Sequence, residues 1–211
     1  MKEVDVVKPN LGGWLTVELD DTEMKFLWDC IENPRDNFKK YLAGNIRESR
    51  LLLDKDNWLF DNVLYKLCSK YADEFGNQGD IVPTTMKHPY YLNNLWVNYQ
   101  RQTEFNPLHD HRGVYSFVIW MKIPTNYFEQ RRDNKFALLS NARCISNFEF
   151  QYLDILGRFS SFIYEMSPKL EGTLVFFPSQ MQHQVYPFYN CEEERISISG
   201  NISLDTRELL E

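Results

Sequence analysis

The texture of the chain changes near residue 90. Ahead of it, apolar residues recur at steps of three and four. Phe60, Leu64, Leu67, Tyr71 and Phe75 make the longest such stripe, which starts after Asp56 and closes at Gly76. That spacing puts one apolar face on a helix, and the aromatic character of the face predicts packing against a sheet. Met24, Phe26, Leu27, Trp28 and Ile31 recur similarly behind Asp21, predicting a helix capped by Asp21 and running to about Cys30. A shorter helix is predicted from Asp36 to Leu42, ended by Gly44. Residues 1–80 therefore read as a mostly helical part packed on whatever follows.

From about Tyr90 the pattern becomes that of strands. Leu95–Gln100 and Tyr115–Met121 are rich in β-branched and aromatic residues, and Phe148–Tyr152 and Phe159–Met166 alternate. Ile155-Leu156-Gly157 reads as the hairpin turn between the latter two. Thr173–Phe177 is stopped by Pro178, and a last alternating strand runs from Arg195 to about Ser203. Strands joined without helices between them predict antiparallel pairing. The expected fold class is mainly β with N-terminal helices (α+β), with a sandwich or jelly roll over residues 81–211. Residues 125–143, with Glu129-Gln130-Arg131-Arg132-Asp133, break the pattern. They predict an insertion, either a cover over a site mouth or a solvated surface excursion.

Composition narrows the function classes. With 43% hydrophobic residues among 211, core material is ample for one compact domain. A net charge of −7 disfavours nucleic acid as a partner. Cys30, Cys68, Cys144 and Cys191 are scattered without a Cys-x-x-Cys pair, as expected of small apolar residues in a reducing compartment. Met1-Lys2-Glu3-Val4-Asp5 lacks the apolar stretch of a secretory leader, and nothing approaches the run of about 18 apolar residues a membrane span needs. The expectation is a cytoplasmic protein with no membrane partner.

Three of the four histidines carry the chemistry. His109 and His111 are two apart, so on an extended strand end they point the same way while Asp110 points away. His183 follows the Phe176-Phe177-Pro178 strand end, where a neighbouring strand would bring a third ligand. A facial trio with open positions suits a non-haem iron(II) site. The plainer alternative is that His109 or His111 bonds a loop. His88 has no such partners and reads as an ordinary loop residue. Arg195 lies twelve positions beyond His183, and on an extended strand it shares a face with Ser197 and Ser199 while Ile196 and Ile198 take the other. Guanidinium followed by a hydroxyl suits a buried carboxylate. The alternative is an arginine opening an edge strand in solvent after Glu192-Glu193-Glu194.

In order and spacing, Asn106-Pro107-Leu108-His109-Asp110-His111, Gly172-Thr173-Leu174-Val175-Phe176-Phe177-Pro178-Ser179, His183 and Arg195-Ile196-Ser197-Ile198-Ser199-Gly200-Asn201 resemble the 2-oxoglutarate/Fe(II) dioxygenase superfamily. They are most similar to a group of oxygenases with an H-x-H motif, known largely from phage and marine bacterial genomes. The resemblance covers about Leu95 to Ser203. It implies a double-stranded β-helix (jelly-roll) core, Fe(II) and 2-oxoglutarate as cofactor and cosubstrate, O2 as a reactant, and an oxidised substrate left unidentified. His109, His111 and His183 match the metal ligands, and Arg195 and Ser197 the grip on the far carboxylate of 2-oxoglutarate. Tyr99, ten residues ahead of His109, matches a tyrosine that contacts the cosubstrate in prolyl-hydroxylase-like members; Asn98 on the other face could serve if the register differs. The superfamily usually has H-x-D, whereas this chain has His111 in the second place. Three neutral imidazoles then give the metal no anionic protein ligand, unless Asp110 ligates from a distorted loop. A cupin-like three-histidine site that does not use 2-oxoglutarate, or a non-catalytic jelly roll, are the rival readings.

Overall fold

Ten strands form two antiparallel sheets in a computed structural model that describes residues 12–135, 137–142 and 144–206. The leader-free reading of residues 1–5 and the Arg143 end of the polar stretch lie outside the described residues. In chain order the elements are β1 (Leu15–Glu18), α1 (Asp21–Glu32), β2 (Glu48–Leu51), α2 (Tyr65–Phe75), β3 (Tyr90–Gln100), β4 (Asn106–His109), β5 (Tyr115–Lys122), α3 (Tyr127–Asp133), β6 (Phe148–Leu153), β7 (Phe159–Tyr164), β8 (Thr173–Pro178), β9 (Gln182–Val185) and β10 (Arg195–Leu204). The large sheet has the order β1-β8-β5-β10-β3-β2 and the small one β4-β9-β6-β7. Two facing antiparallel sheets of this kind make a jelly roll, as the strand pattern predicts.

Alternation assigns each strand of the large sheet two faces. On one, Leu95 and Val97 of β3, Phe117 and Ile119 of β5, Leu174 and Phe176 of β8 and Ile198 of β10 pack against Leu27 of α1 and Cys68 and Tyr71 of α2. On the other, Val118, Trp120, Val175 and Phe177 meet Phe148 and Phe150 of the small sheet. The helices thus cover the outside of the large sheet, and the small sheet leaves a chamber on its inside.

Local chemistry explains where the sequence reading shifts. α1 is capped by Asp20 rather than Asp21: its carboxylate accepts from Thr22 and Glu23 N–H, and Glu23 reaches back to the Asp20 N–H. Such a box is worth about 1 kcal/mol. The predicted helix from Asp36 to Leu42 is only a single turn, Lys39–Tyr41. The side chain of Asn37 accepts from Lys39 N–H, and residues ahead of it bond to β2 through Phe38 N–H to Ser49 O and Leu51 N–H to Asp36 O, each 2.9 Å. An open sheet edge beside an Asx turn outcompetes the helix. Two short strands interrupt the helical N-terminal part, and β1 and β2 form the two edges of the large sheet. Four-residue strands are too short to leave a period-two signal. No helix among the described residues is long and apolar enough to cross a membrane.

Candidate metal centre

His109 ends β4 and is the register partner of His183 on β9. His111 lies just past the strand, held by its own N–H, which donates to Ser179 O at 2.8 Å. The chain then turns into β5 through Gly113 at φ +120°, where a Cβ would lie 2.8 Å from the carbonyl of Ile202. Only glycine permits both the angle and the approach. The three rings converge: centroids are 4.3 Å apart for His109–His183 and 5.0 Å for the other two pairs. One nitrogen from each lies within 4.8 Å of the others, a spacing that could hold a metal ion.

Backbone carbonyls set the ring orientation. Nδ1 of His109 lies 2.7 Å from Pro107 O, and Nδ1 of His183 lies 2.8 Å from Met181 O. A nitrogen facing a carbonyl must carry the proton, which leaves Nε2 as the free lone pair of each ring. Burial keeps all three imidazoles neutral. It lowers His109, it lowers His111 to about 4 with help from His109, and it lowers His183 far below the ordinary range, with repulsion from the other two histidines adding. A neutral imidazole is the form that ligates. Phe148, Phe150 and Phe177 surround the His183 ring. Asp110 is exposed and accepts from Gln182 Nε2 at 2.6 Å, so it stands apart from the trio.

The same chamber, about 160 Å³, is lined by the three histidines and by Arg195, Ser197 and Ser199. Arg195 is 2% exposed, the opposite of an arginine opening an edge strand in solvent. Its Nη2 donates to Ser146 O at 2.7 Å and to Ser146 Oγ at 2.8 Å, and its Nη1 to Gln100 Oε1 at 3.4 Å. The ring of Phe188 lies 5.1 Å from the guanidinium carbon. No carboxylate among the described residues pairs with it, and Nε has no partner at all. Burial without a counter-ion pushes its pKa from 12.5 down to about 9. Such a cation is costly until an anion arrives, so the site fits a ligand carboxylate.

Pairing across β3 and β10 orders the rest of this wall. Arg195 faces Gln100, Ser197 faces Asn98, Ser199 faces Trp96 and Asn201 faces Asn94. Asn98, not Tyr99, belongs to the chamber; its Oδ1 accepts from the buried Ser49 hydroxyl at 2.7 Å. Tyr99 packs with Ile196 on the helix-covered face, because odd positions of β3 turn away from the site. Gln100 and Ser146 escaped the sequence reading. Gln100 becomes visible once β3 is paired with β10, whereas Ser146, at φ +66° in an irregular segment, leaves no sequence signal. Phe188 is fully buried under Arg195. The 125–143 stretch contains α3, which docks on the 188–190 segment through Gln130 and Tyr189, and none of its described residues lines the chamber. His88 lines a separate hollow that shares no lining residue with the chamber.

A family model described as "Putative 2OG-Fe(II) oxygenase" matches residues 94–201, which is just over half of the chain and contains every residue of the trio and the Arg195 wall. No curated protein matches the chain. Among solved structures, an oxidoreductase of the 2OG-Fe(II) oxygenase family from Burkholderia pseudomallei is similar at 13% identity and a TM-score of 0.54, covering 89% of this chain and 85% of its own. AviO1 from Streptomyces viridochromogenes is similar at 14% identity and 0.52, covering 94% and 92%. A prolyl-4-hydroxylase from Pseudomonas putida is similar at 14% identity and 0.51, covering 92% and 94%. At these identities the likeness speaks for the fold.

Proposed function

Because the chain belongs to the 2OG-Fe(II) oxygenase family, whose members use Fe(II), 2-oxoglutarate and O2, we propose that His109, His111 and His183 hold the iron and that Arg195 and Ser197 hold the far carboxylate of 2-oxoglutarate. The observation that carries this reading is one chamber containing three neutral imidazoles and a buried guanidinium with an unpartnered Nε. Iron with 2-oxoglutarate supplies the activation of O2, of which one oxygen atom ends in succinate as CO2 leaves and the other in the substrate.

The protein's own residues do the rest. Pro107 O and Met181 O fix two of the imidazoles so that Nε2 faces inward. Ser146 and Gln100 hold the guanidinium plane, which lets Arg195 meet a carboxylate without reorganising. Trp120, Phe148 and Phe177 wall the chamber with apolar surface and keep water from the reacting groups. His111 replaces the usual carboxylate ligand, so the protein contributes no negative charge to the metal and the bound cosubstrate supplies the anion. The four free thiols support a reducing, cytoplasmic setting.

The test is anaerobic loading with Fe(II) and isotopically labelled 2-oxoglutarate, followed by admission of O2. Labelled succinate and CO2 are expected from the wild-type protein and not from His183→Ala. Tight iron binding without any decarboxylation would leave a three-histidine metal protein of another chemistry.

A further inference from the structure

Outside His111 the chamber opens into a larger cleft of about 910 Å³, with Trp96, His111, Asp110, Tyr41 and Leu42 lining both. An aromatic wall leads inward along it. Tyr41, 66% exposed, lies 5.2 Å from Phe38; Phe38 lies 5.6 Å from Trp96; Trp96 lies 5.8 Å from His111. Charge is balanced, with Lys40 and Arg112 set against Asp36 and Asp110. Nothing there selects for an anionic or a cationic ligand.

Hydrogen-bonding groups in this cleft lack partners in a consistent sense. Trp96 is 3% exposed, yet its Nε1–H has no acceptor. Asn201 uses its Oδ1 to accept from the Ser116 hydroxyl at 2.8 Å, so it turns only its amide N–H donors to a ligand. Both are on the site face of the β3–β10 pair, and both call for a neutral acceptor such as a carbonyl. On the rim, Asn37 sits in the segment that pairs with β2. Its flanking residues Asp36 and Phe38 make the bonds to β2, and alternation turns the N–H and C=O of Asn37 to the outside, where neither bonds a described residue. A free donor–acceptor pair on a strand edge is the complement of another main chain.

We propose that this cleft is the substrate site and that it takes an uncharged polypeptide segment. Carbonyls of that segment meet Trp96 Nε1–H and the Asn201 amide, its main chain meets the Asn37 edge, an apolar side chain lies on Tyr41 and Phe38, and one side chain enters the inner chamber to be oxidised. The loop above enforces that division. Gly44 runs so close to β4 that a Cβ there would lie 1.7 Å from Asn106 Oδ1, and the loop is clamped by Asn45 N–H to Phe105 O at 2.7 Å. The inner space admits a side chain and not a chain.

This assignment rests on the oxygenase reading above. The experiment uses the Fe(II)-loaded protein with 2-oxoglutarate and O2 and reads succinate with and without four probes: a degenerate library of N-acetylated, C-amidated hexapeptides of uncharged residues, the same library with Lys or Asp flanks, neutral oligosaccharides, and single-stranded oligonucleotides. The uncharged peptides are expected to raise succinate formation several-fold above the basal rate. Tyr41→Ala, at an exposed position, should raise the peptide concentration for half-stimulation about three- to tenfold, as expected for one lost aromatic contact, and Asn201→Ala should do the same by losing a donor. Basal turnover that ignores the uncharged peptides, or responds to sugar or oligonucleotide instead, overturns the assignment. So does stimulation that both variants leave unchanged. Absence of basal turnover in iron-loaded protein would be a failure of the oxygenase reading; peptide binding by calorimetry to the manganese-loaded protein then still decides the cleft.

Discussion

Replacing Arg195 by methionine should make the ligand-free protein more stable while abolishing its response to 2-oxoglutarate. The guanidinium is fully buried, faces no carboxylate, and is held down to about 9 from 12.5. That displacement corresponds to a penalty on the order of 5 kcal/mol for keeping the charge inside. Methionine fills similar volume with no charge, at the cost of leaving Ser146 O and Oγ unpaired, about 1–3 kcal/mol. The balance favours Arg195→Met by roughly 2–4 kcal/mol, and for a chain of this size that raises Tm by about 5–15 °C. In the manganese-loaded wild type, 2-oxoglutarate at a hundred times its Kd should add about 2.7 kcal/mol, a rise of roughly 5–10 °C. In Arg195→Met that rise should vanish. The assay is thermal unfolding of both proteins with and without 2-oxoglutarate. A variant that melts lower than wild type yet still responds would refute the reasoning, because Arg195 would then be a structural residue satisfied by Ser146 and Gln100 alone.

Metal-free protein should lose stability on acidification through its histidines. Their folded-state pKa values lie below the unfolded 6.5, so the unfolded chain binds protons first as pH falls; from His111 alone, at about 4 when folded, the loss by pH 5 is about 2 kcal/mol and should appear in urea midpoints and be reduced in His111→Gln. Asp110→Asn should leave iron affinity within about threefold of wild type, since that carboxylate bonds Gln182 and not the trio, whereas His109→Ala should abolish tight binding; competition with a chromogenic chelator measures both. Ser146→Ala should raise the KM for 2-oxoglutarate about tenfold with little change in kcat, because it removes one of the hydrogen bonds that fix the Arg195 plane.

Much of the site was legible in the sequence because it depends on alternation. His109 and His111, and Arg195 with Ser197 and Ser199, follow from period two once a strand is assumed, and Ile196 and Ile198 do face the helices. The long helix closing at Gly76 and the hairpin turn at Gly157 were equally plain. Tyr99 failed because counting back from His109 gives a position but not a face, and the face is set by the pairing of β3 with β10. β1, β2, β4 and β9 have four residues each, too few for a periodic signal. Ser146, Phe188 and Trp96 gain their roles only from tertiary contact. No local pattern foretells that a serine in an irregular segment will hold an arginine 49 residues away.

The two halves of the centre sit on elements of very different standing. Arg195 and Ser197 belong to β10, which is paired on both sides by β3 and β5, while His109 ends a four-residue edge strand paired only with β9. Amide hydrogens of β10 should therefore exchange only through global unfolding, and those of β4 through local opening at much lower free energy. A metal held by the trio, as proposed above, would leave and return through that local opening, without global unfolding. Under the proposed assignment, oxidative damage or chelation would empty the histidine side of the site and leave the Arg195 wall standing for reloading.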